Sequence, residues 1–295
     1  MRLLLIGDIV GKPGRKIIAR ALPGLRLRER LDFVVANAEN SADGSGITPA
    51  IYRALLRSGV DCITLGDHIY RRQEIEETLR TETNIVKPAN FPPEAPGADH
   101  AIVEVHPFVG QSHALSEPGR SMAPSYSVAV ISLLGRVFMR PVDCPFKAAD
   151  RVLAEIPEEV KVRVVDFHAE ATSDKQLLAR YLEGRVSAVL GTHTHVPTAD
   201  ETILPGGTAF QCDVGMTGPY DSILGRRIDR VMQTTITFEP THFDVADGDV
   251  RICGSIVDID ETTGRATGIQ RVRIDEAEAV ELERLATPVR ETPVM

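Results

Sequence analysis

Short apolar runs separated by helix-patterned stretches fill the first two-thirds of this chain, and that alternation limits its fold more than any other feature. Residues 3–6, 33–36, 62–65, 126–133, 162–167 and 186–190 each read as a buried strand. Helical patterning separates them at 15–30, 48–57, 71–80, 147–155 and 173–182. Pro23-Gly24 is expected to interrupt the first helix. Thr48, followed by Pro49 at the first helical position, marks the start of the second. Strands alternating with helices predict a layered α/β fold.

Two regions break the rhythm. Residues 88–124 are punctuated by Pro92-Pro93, Pro96-Gly97 and Pro118-Gly119, and read as a surface loop or lid with an edge strand at 101–105. Beyond Asp200, strand-like runs at 208–211, 232–237, 250–259 and 270–274 predict a second, more antiparallel sheet. A helix is expected at 276–285 and a loose tail at 287–295. With no repeat, low-complexity tract or obvious linker, one domain over 1–295 is the expectation.

Composition narrows the function. The formal charge of −9 argues against a general nucleic-acid-binding surface. Small phosphorylated substrates stay open, because bound cations can reverse the local potential. No apolar run reaches the length of a membrane span, and the run at 3–6 ends too early for a secretory signal. Cys62, Cys144, Cys212 and Cys253 are scattered without a C-x-x-C pair, so a reduced, cytoplasmic setting is expected.

The chemistry-bearing residues repeat one placement. Asp8, Glu39 with Asn40, Asp67 with His68, and His168 each follow a strand-like run, and His193-Thr194-His195 follows another. Ligands in open α/β sheets collect at the carboxyl ends of strands. An H-x-H on an extended chain would place both imidazoles on one side. Singly, each residue has a plainer reading: Asp8 can start a turn, Asp67 can cap a helix, and Asn40 is a common turn former. Five strand ends carrying the same residue types instead predict a two-metal site. Carboxylate, amide and imidazole donors without thiolate suit Mn²⁺, Fe or Zn²⁺ and not a structural zinc site. Two cations roughly 3.5–4 Å apart need a bridging ligand, and Glu39 is the expected bridge. Such a pair binds phosphate oxygens and activates a bridging water.

Other motifs are weaker. Gly7-Asp8-Ile9-Val10-Gly11-Lys12 is one residue short of a phosphate loop, with Pro13 at the hydroxyl position. No G-x-S-x-G elbow is present. Arg71, Arg72 and Arg80 read as a solvated helix face. His100, His106, His113 and His242 lack strand-end context and read as surface or structural residues.

The sequence resembles the YmdB-like bacterial metallophosphoesterases. The resemblance is carried by Gly7-Asp8-Ile9-Val10-Gly11, Asn37-Ala38-Glu39-Asn40, the stretch from Asp166-Phe167-His168 to Ser173, Gly191-Thr192-His193-Thr194-His195-Val196 and Met216-Thr217-Gly218-Pro219. It implies a calcineurin-like sandwich of two β-sheets flanked by helices. It also implies a 2′,3′-cyclic-nucleotide phosphodiesterase working through a metal-bridging hydroxide, with an iron or manganese pair, and a homo-oligomer. By matching position, Asp8, Asn40 and His195 would hold the first metal and Glu39 would bridge. Asp67, His168 and His193 would hold the second, and His68 would protonate the leaving alkoxide. The family's third motif resembles Gly-Asn-His where this chain has Gly66-Asp67-His68, adding a carboxylate to the site. Residues around 113–124 look like an insertion relative to the family. The alternatives are a metal-binding regulatory protein with little turnover, and a phosphomonoesterase acting on small metabolites.

Overall fold

In the computed structural model, which describes residues 1–105 and 126–287, the strand Arg2–Ile6 shows how the core is arranged. Its side chains alternate between two buried faces: Leu3 and Leu5 join one cluster, Leu4 and Ile6 another. Phe33–Asn37 repeats the division, with Phe33 and Val35 on one side and Val34 and Ala36 on the other. A strand apolar at every position belongs to a sheet covered on both faces.

Two sheets result. The first runs Asp8–Ile9, Met216–Pro219, Val250–Ile259, Arg2–Ile6, Phe33–Asn37, Cys62–Thr64, Ile85–Val86, with Ala266–Ile274 paired to the far side of Val250–Ile259. The second runs Thr202–Ile203, Ala209–Gln211, Ala188–Thr192, Val162–His168, Tyr126–Leu134, His100–Val105. Leu3, Leu5, Phe33 and Val35 of the first meet Val128, Val130, Val162 and Val164 of the second in the shared core. Helices Gly11–Glu29, Pro49–Arg57 and Glu276–Ala286 cover the outer face of the first sheet. Helices Pro145–Glu155 and Thr172–Tyr181 cover that of the second. The expected sandwich of two sheets flanked by helices is what the chain forms. Within each sheet the site-bearing strands are parallel (Arg2–Ile6, Phe33–Asn37 and Cys62–Thr64; Val162–His168 and Ala188–Thr192), so their carboxyl ends line up.

Several elements depart from the sequence reading. The first helix passes through Pro23 without a break. Gly24 has its reason in packing, since a Cβ there would stand 2.0 Å from the carbonyl oxygen of Leu282 on the C-terminal helix. The helix expected at 71–80 is shorter: two 3₁₀ turns, Ile69–Arg71 and Gln73–Ile75, precede an α-helix at Glu76–Thr81. The run at 232–237, expected as a strand, lies in the helix Ile228–Thr237. Its Ile228, Met232 and Ile236 fall at helical, not alternating, spacing. The C-terminal strands form no sheet of their own. Val250–Ile259 pairs antiparallel with Arg2–Ile6, and Ala209–Gln211 joins Ala188–Thr192. Residues 88–105 are tied to the second sheet through Ala89, whose N–H donates to the Ser132 carbonyl (2.8 Å), and through the edge strand His100–Val105. The remainder of the expected lid, His106 and His113, the expected insertion and most of the tail lie outside the described residues. No described helix is long and apolar enough to cross a membrane.

Candidate metal centre

Every residue expected at the site arrives at the carboxyl ends of the two sheets. Asp8 follows Arg2–Ile6, Glu39 and Asn40 follow Phe33–Asn37, and Asp67 and His68 follow Cys62–Thr64. His168 ends one strand of the second sheet, and His193 and His195 follow its neighbour. Asp8, Glu39 and His168 are fully buried. Glu39, Asp67, His168 and His193 each offer a ligand atom, all within 4.8 Å of one another. Nε2 of His168 stands 3.2 Å from Glu39 Oε1 and 3.3 Å from Asp67 Oδ1, and His193 Nδ1 lies 3.0 Å from the same nitrogen.

A second group adjoins the first. Nε2 of His195 is 3.7 Å from Asp8 Oδ1 and 3.3 Å from Asn40 Nδ2, which donates to Glu39 Oε1 at 3.0 Å. As placed, the Asn40 amide presents Nδ2 to these groups and Oδ1 to His68, so ligation through oxygen requires the amide to turn over. Asp8 Oδ1 is buried without a hydrogen-bond partner. A buried carboxylate oxygen without a donor is costly unless a cation serves it. On that orphaned oxygen and the donor chemistry, the residues fit a metal ion.

The imidazoles are also held as ligands need to be. A metal-bound histidine donates its other ring N–H to a fixed acceptor, which sets the tautomer. His168 Nδ1 lies 2.9 Å from Thr192 Oγ1, and that hydroxyl donates to buried Asp166 Oδ1 at 2.6 Å. Thr64 and Asn37, from the other sheet, donate to Asp166 Oδ2 at 2.5 and 2.9 Å. Nε2 of His193 lies 3.2 Å from Glu170, and Nδ1 of His195 lies 3.2 Å from the Leu224 carbonyl oxygen. In each case one ring nitrogen is occupied and the other faces the cluster. These supports were not found by sequence reasoning. The visible signal was Asp166, an acid inside the apolar run Val164-Val165-Asp166-Phe167.

The H-x-H does not reach the site in the expected way. The strand ends at Thr192, and His193 and His195 both carry left-handed backbone, with φ of 95° and 65°. Backbone twist, not strand alternation, aims them. Such conformations are uncommon for non-glycine residues and persist only when surroundings enforce them. Here Asp213 does so: its Oδ2 accepts from Thr194 N at 3.1 Å and Thr194 Oγ1 at 2.8 Å, and Lys175 Nζ pairs with it at 2.7 Å. Gly66 supplies room on the opposite wall, where a Cβ would stand 2.4 Å from both Glu39 Oε2 and His168 Cδ2.

Charge is balanced inside the cluster. Burial pushes the Glu39 carboxyl up, but the His168 charge and the hydrogen bonds of His168 and His68 hold it well below the usual value. Burial likewise raises Asp8, and neighbouring His195 and His168 more than offset it. Burial works against a charged His168, yet Glu39 and Asp67 hold it well above the ordinary imidazole range. Burial and the charge of His168 lower His193. His68 is 29% exposed, with Nδ1 2.9 Å from Asn40 Oδ1 and Nε2 3.7 Å from Asp67 Oδ2. Its bond to Glu39 raises it, against burial. Away from the centre, Arg71 and Arg80 are exposed, and Arg72 reaches Asp43 at 3.4 Å. His100 lies 3.9 Å from Glu155, and His242 is exposed. The four cysteines form no disulfide.

A two-sheet sandwich gathering acids and imidazoles at its strand ends defines the calcineurin-like metallophosphoesterase class. The chain belongs to the YmdB-like protein family, whose sequence model matches residues 4–272. It is 42% identical over 276 residues to a 2′,3′-cyclic-nucleotide 2′-phosphodiesterase of Bacillus subtilis (strain 168), covering 94% of this chain and 98% of that protein. A crystal structure of a hypothetical protein from Thermus thermophilus superposes with a TM-score of 0.81 at 39% identity, covering 94% of this chain and 100% of that one. A crystal structure of a phosphatase from Mycoplasma pneumoniae gives a TM-score of 0.81 at 28% identity, covering 93% of each chain.

Proposed function

We propose that the protein is a dinuclear-metal phosphodiesterase that hydrolyses 2′,3′-cyclic nucleotides. The observation that carries this reading is the position of Glu39, whose Oε1 lies between the Asn40 amide of one donor group and His168 of the other. A bridging carboxylate must stand there. Asp8, Asn40 and His195 would hold one cation, Asp67, His168 and His193 the other, and Glu39 both. Carboxylate, amide and imidazole donors suit iron, manganese or zinc, and the resemblance to the YmdB-like family points to iron or manganese among them. Two bound cations would draw in phosphate oxygens and generate a hydroxide nucleophile from water.

The chain's own residues do the rest. His68 Nδ1 lies 3.3 Å from Glu39 Oε1, which holds that nitrogen's proton in either amide orientation, so Nε2 is the nitrogen that gains and loses a proton as the imidazole titrates. Opening a 2′,3′-cyclic phosphate leaves a ribose alkoxide, and a partly exposed imidazole raised above its ordinary pKa is suited to protonate it. Cyclic nucleotide as substrate is supported by the name of the Bacillus relative. A cytoplasmic homo-oligomer belongs to the same proposal, and the exposed apolar side chains of Met232, Ile236 and Phe238 offer it a surface.

The test is hydrolysis of 2′,3′-cyclic AMP by Mn²⁺- or Fe²⁺-loaded protein, with His193→Ala and His68→Ala beside it. Turnover is expected in the parent and lost in His193→Ala. In His68→Ala it should fall by roughly 10²–10⁴-fold with metal content unchanged. Turnover of a terminal phosphate monoester alone would make the enzyme a phosphomonoesterase. Full metal loading with no turnover of either would leave a binding protein.

A further inference from the structure

We propose a second binding site, for small phosphate-bearing anions, at the end of the second sheet opposite the metal centre. The strands Val162–His168 and Ala188–Thr192 carry site residues at their carboxyl ends. Their amino ends open on a cavity of about 440 Å³ lined by Lys161, Arg163, Arg185 and Arg265, with Asp150 as its acidic member. Seven residues of strand at about 3.3 Å each put roughly 20 Å between this cavity and His168. It is therefore a separate site.

On a chain of net charge −9, cations normally find acids. Arg185 does, pairing with Asp150 at 2.7 Å and lying over the Tyr181 ring. Lys161, Arg163 and Arg265 have no ion-pair partner among the described residues. Arg163 spends only Nε, donating to the Val160 carbonyl at 3.0 Å, which braces the side chain and leaves both terminal nitrogens for a ligand. Three unpaired positive charges around one cavity repel one another unless an anion joins them.

The walls are built, not incidental. Ala266 N–H donates to the Gly207 carbonyl at 2.8 Å, tying the Arg265 turn to its neighbour. Gly264 lies against the Lys161 backbone, where a Cβ would stand 2.2 Å from the carbonyl oxygen. The volume falls in the usual range for small ligands, roughly 300–1,000 Å³. Among the described residues no aromatic ring lines the cavity, so they offer no platform for a base. Guanidinium and ammonium groups facing a small volume select phosphate oxygens, and three of them match a pyrophosphate or longer chain better than a single phosphate. The anion could be inorganic or the phosphate chain of a nucleotide.

Equilibrium dialysis of the metal-loaded protein with radiolabelled pyrophosphate, and separately with ATP, tests this. The Lys161→Gln/Arg163→Gln variant should lose at least tenfold in affinity at one site. His193→Ala should keep that site, since any pyrophosphate held at the metal centre is lost there instead. Arg265→Gln, at an exposed side chain, should weaken binding in the same direction while preserving the fold. Lys12→Gln/Lys16→Gln, the same charge change on the first helix, should leave binding as in the parent. Equal losses in the two double variants would reduce the effect to net charge and overturn the site, as would unchanged binding in Lys161→Gln/Arg163→Gln. Tighter pyrophosphate than ATP identifies an inorganic ligand, and the reverse a nucleotide.

Discussion

Lys175→Met should cost far more than an ordinary helix substitution, although Lys175 touches none of the expected metal ligands. Lys175 and Asp213 are each only 1% exposed and stand 2.7 Å apart, so water neither screens the pair nor replaces a lost partner. Removing one member of a buried ion pair typically costs about 3–5 kcal/mol, because the other charge stays buried. Unfolding entropy is about 2.1 cal/mol/K per residue, so for a chain of 295 residues 1 kcal/mol corresponds to roughly 1.6 °C. The melting temperature should fall by roughly 5–8 °C. The loss should also reach the centre. Asp213 holds Thr194 between the two left-handed histidines, and outer-shell changes of this kind lower metal affinity by about 10–100-fold. Differential scanning fluorimetry reads the first effect, and Mn²⁺ titration at a temperature where both proteins are folded reads the second. A fall below about 2 °C would refute the energetic argument. A full fall with unchanged Mn²⁺ affinity would refute the claim that the pair aims His193 and His195.

Three further outcomes follow from the same geometry. Asp67→Asn should keep both cations and give equal or higher turnover, because one carboxylate fewer leaves the cations stronger Lewis acids; complete loss of activity would make the carboxylate essential. Gly66→Ala drives a Cβ to 2.4 Å from Glu39 Oε2, so metal content should collapse while far-UV circular dichroism is unchanged, and normal metal content would contradict the contact. His168 stands well above its ordinary pKa, so at pH 7 the metal-stripped protein carries a proton that a cation must displace. Mn²⁺ loading in weak buffer should acidify it, and affinity should fall as pH is lowered; loading without acidification would contradict the proton on His168.

The parallel strands and the residues at their ends were legible along the chain, because both depend on local pattern. A strand buried on two faces is apolar along its buried length, as Leu3–Ile6 is, and as Val162–Phe167 is apart from Arg163 near its start and Asp166. Polar residues that end such a run mark its carboxyl end, and this pattern picks out Asp8, Glu39, Asp67, His168 and the H-x-H in the sequence itself. Residues 232–237 read as strand in the sequence yet lie in the helix Ile228–Thr237, because so short an apolar run lacks the length to separate the two periods.

What tertiary structure alone decided is how those ends meet. Val250–Ile259 closing the free edge of Arg2–Ile6, nearly 250 residues away, is set by complementary sheet edges and not by local preference. The same holds for Asp166, which gathers Asn37 and Thr64 from one sheet and Thr192 from the other into the support behind His168. Residue types along a chain mark which groups can bind a cation. Their convergence depends on contacts between segments far apart in sequence, on buried pairs such as Lys175–Asp213, and on backbone twist at His193 and His195, none of which has a local signature.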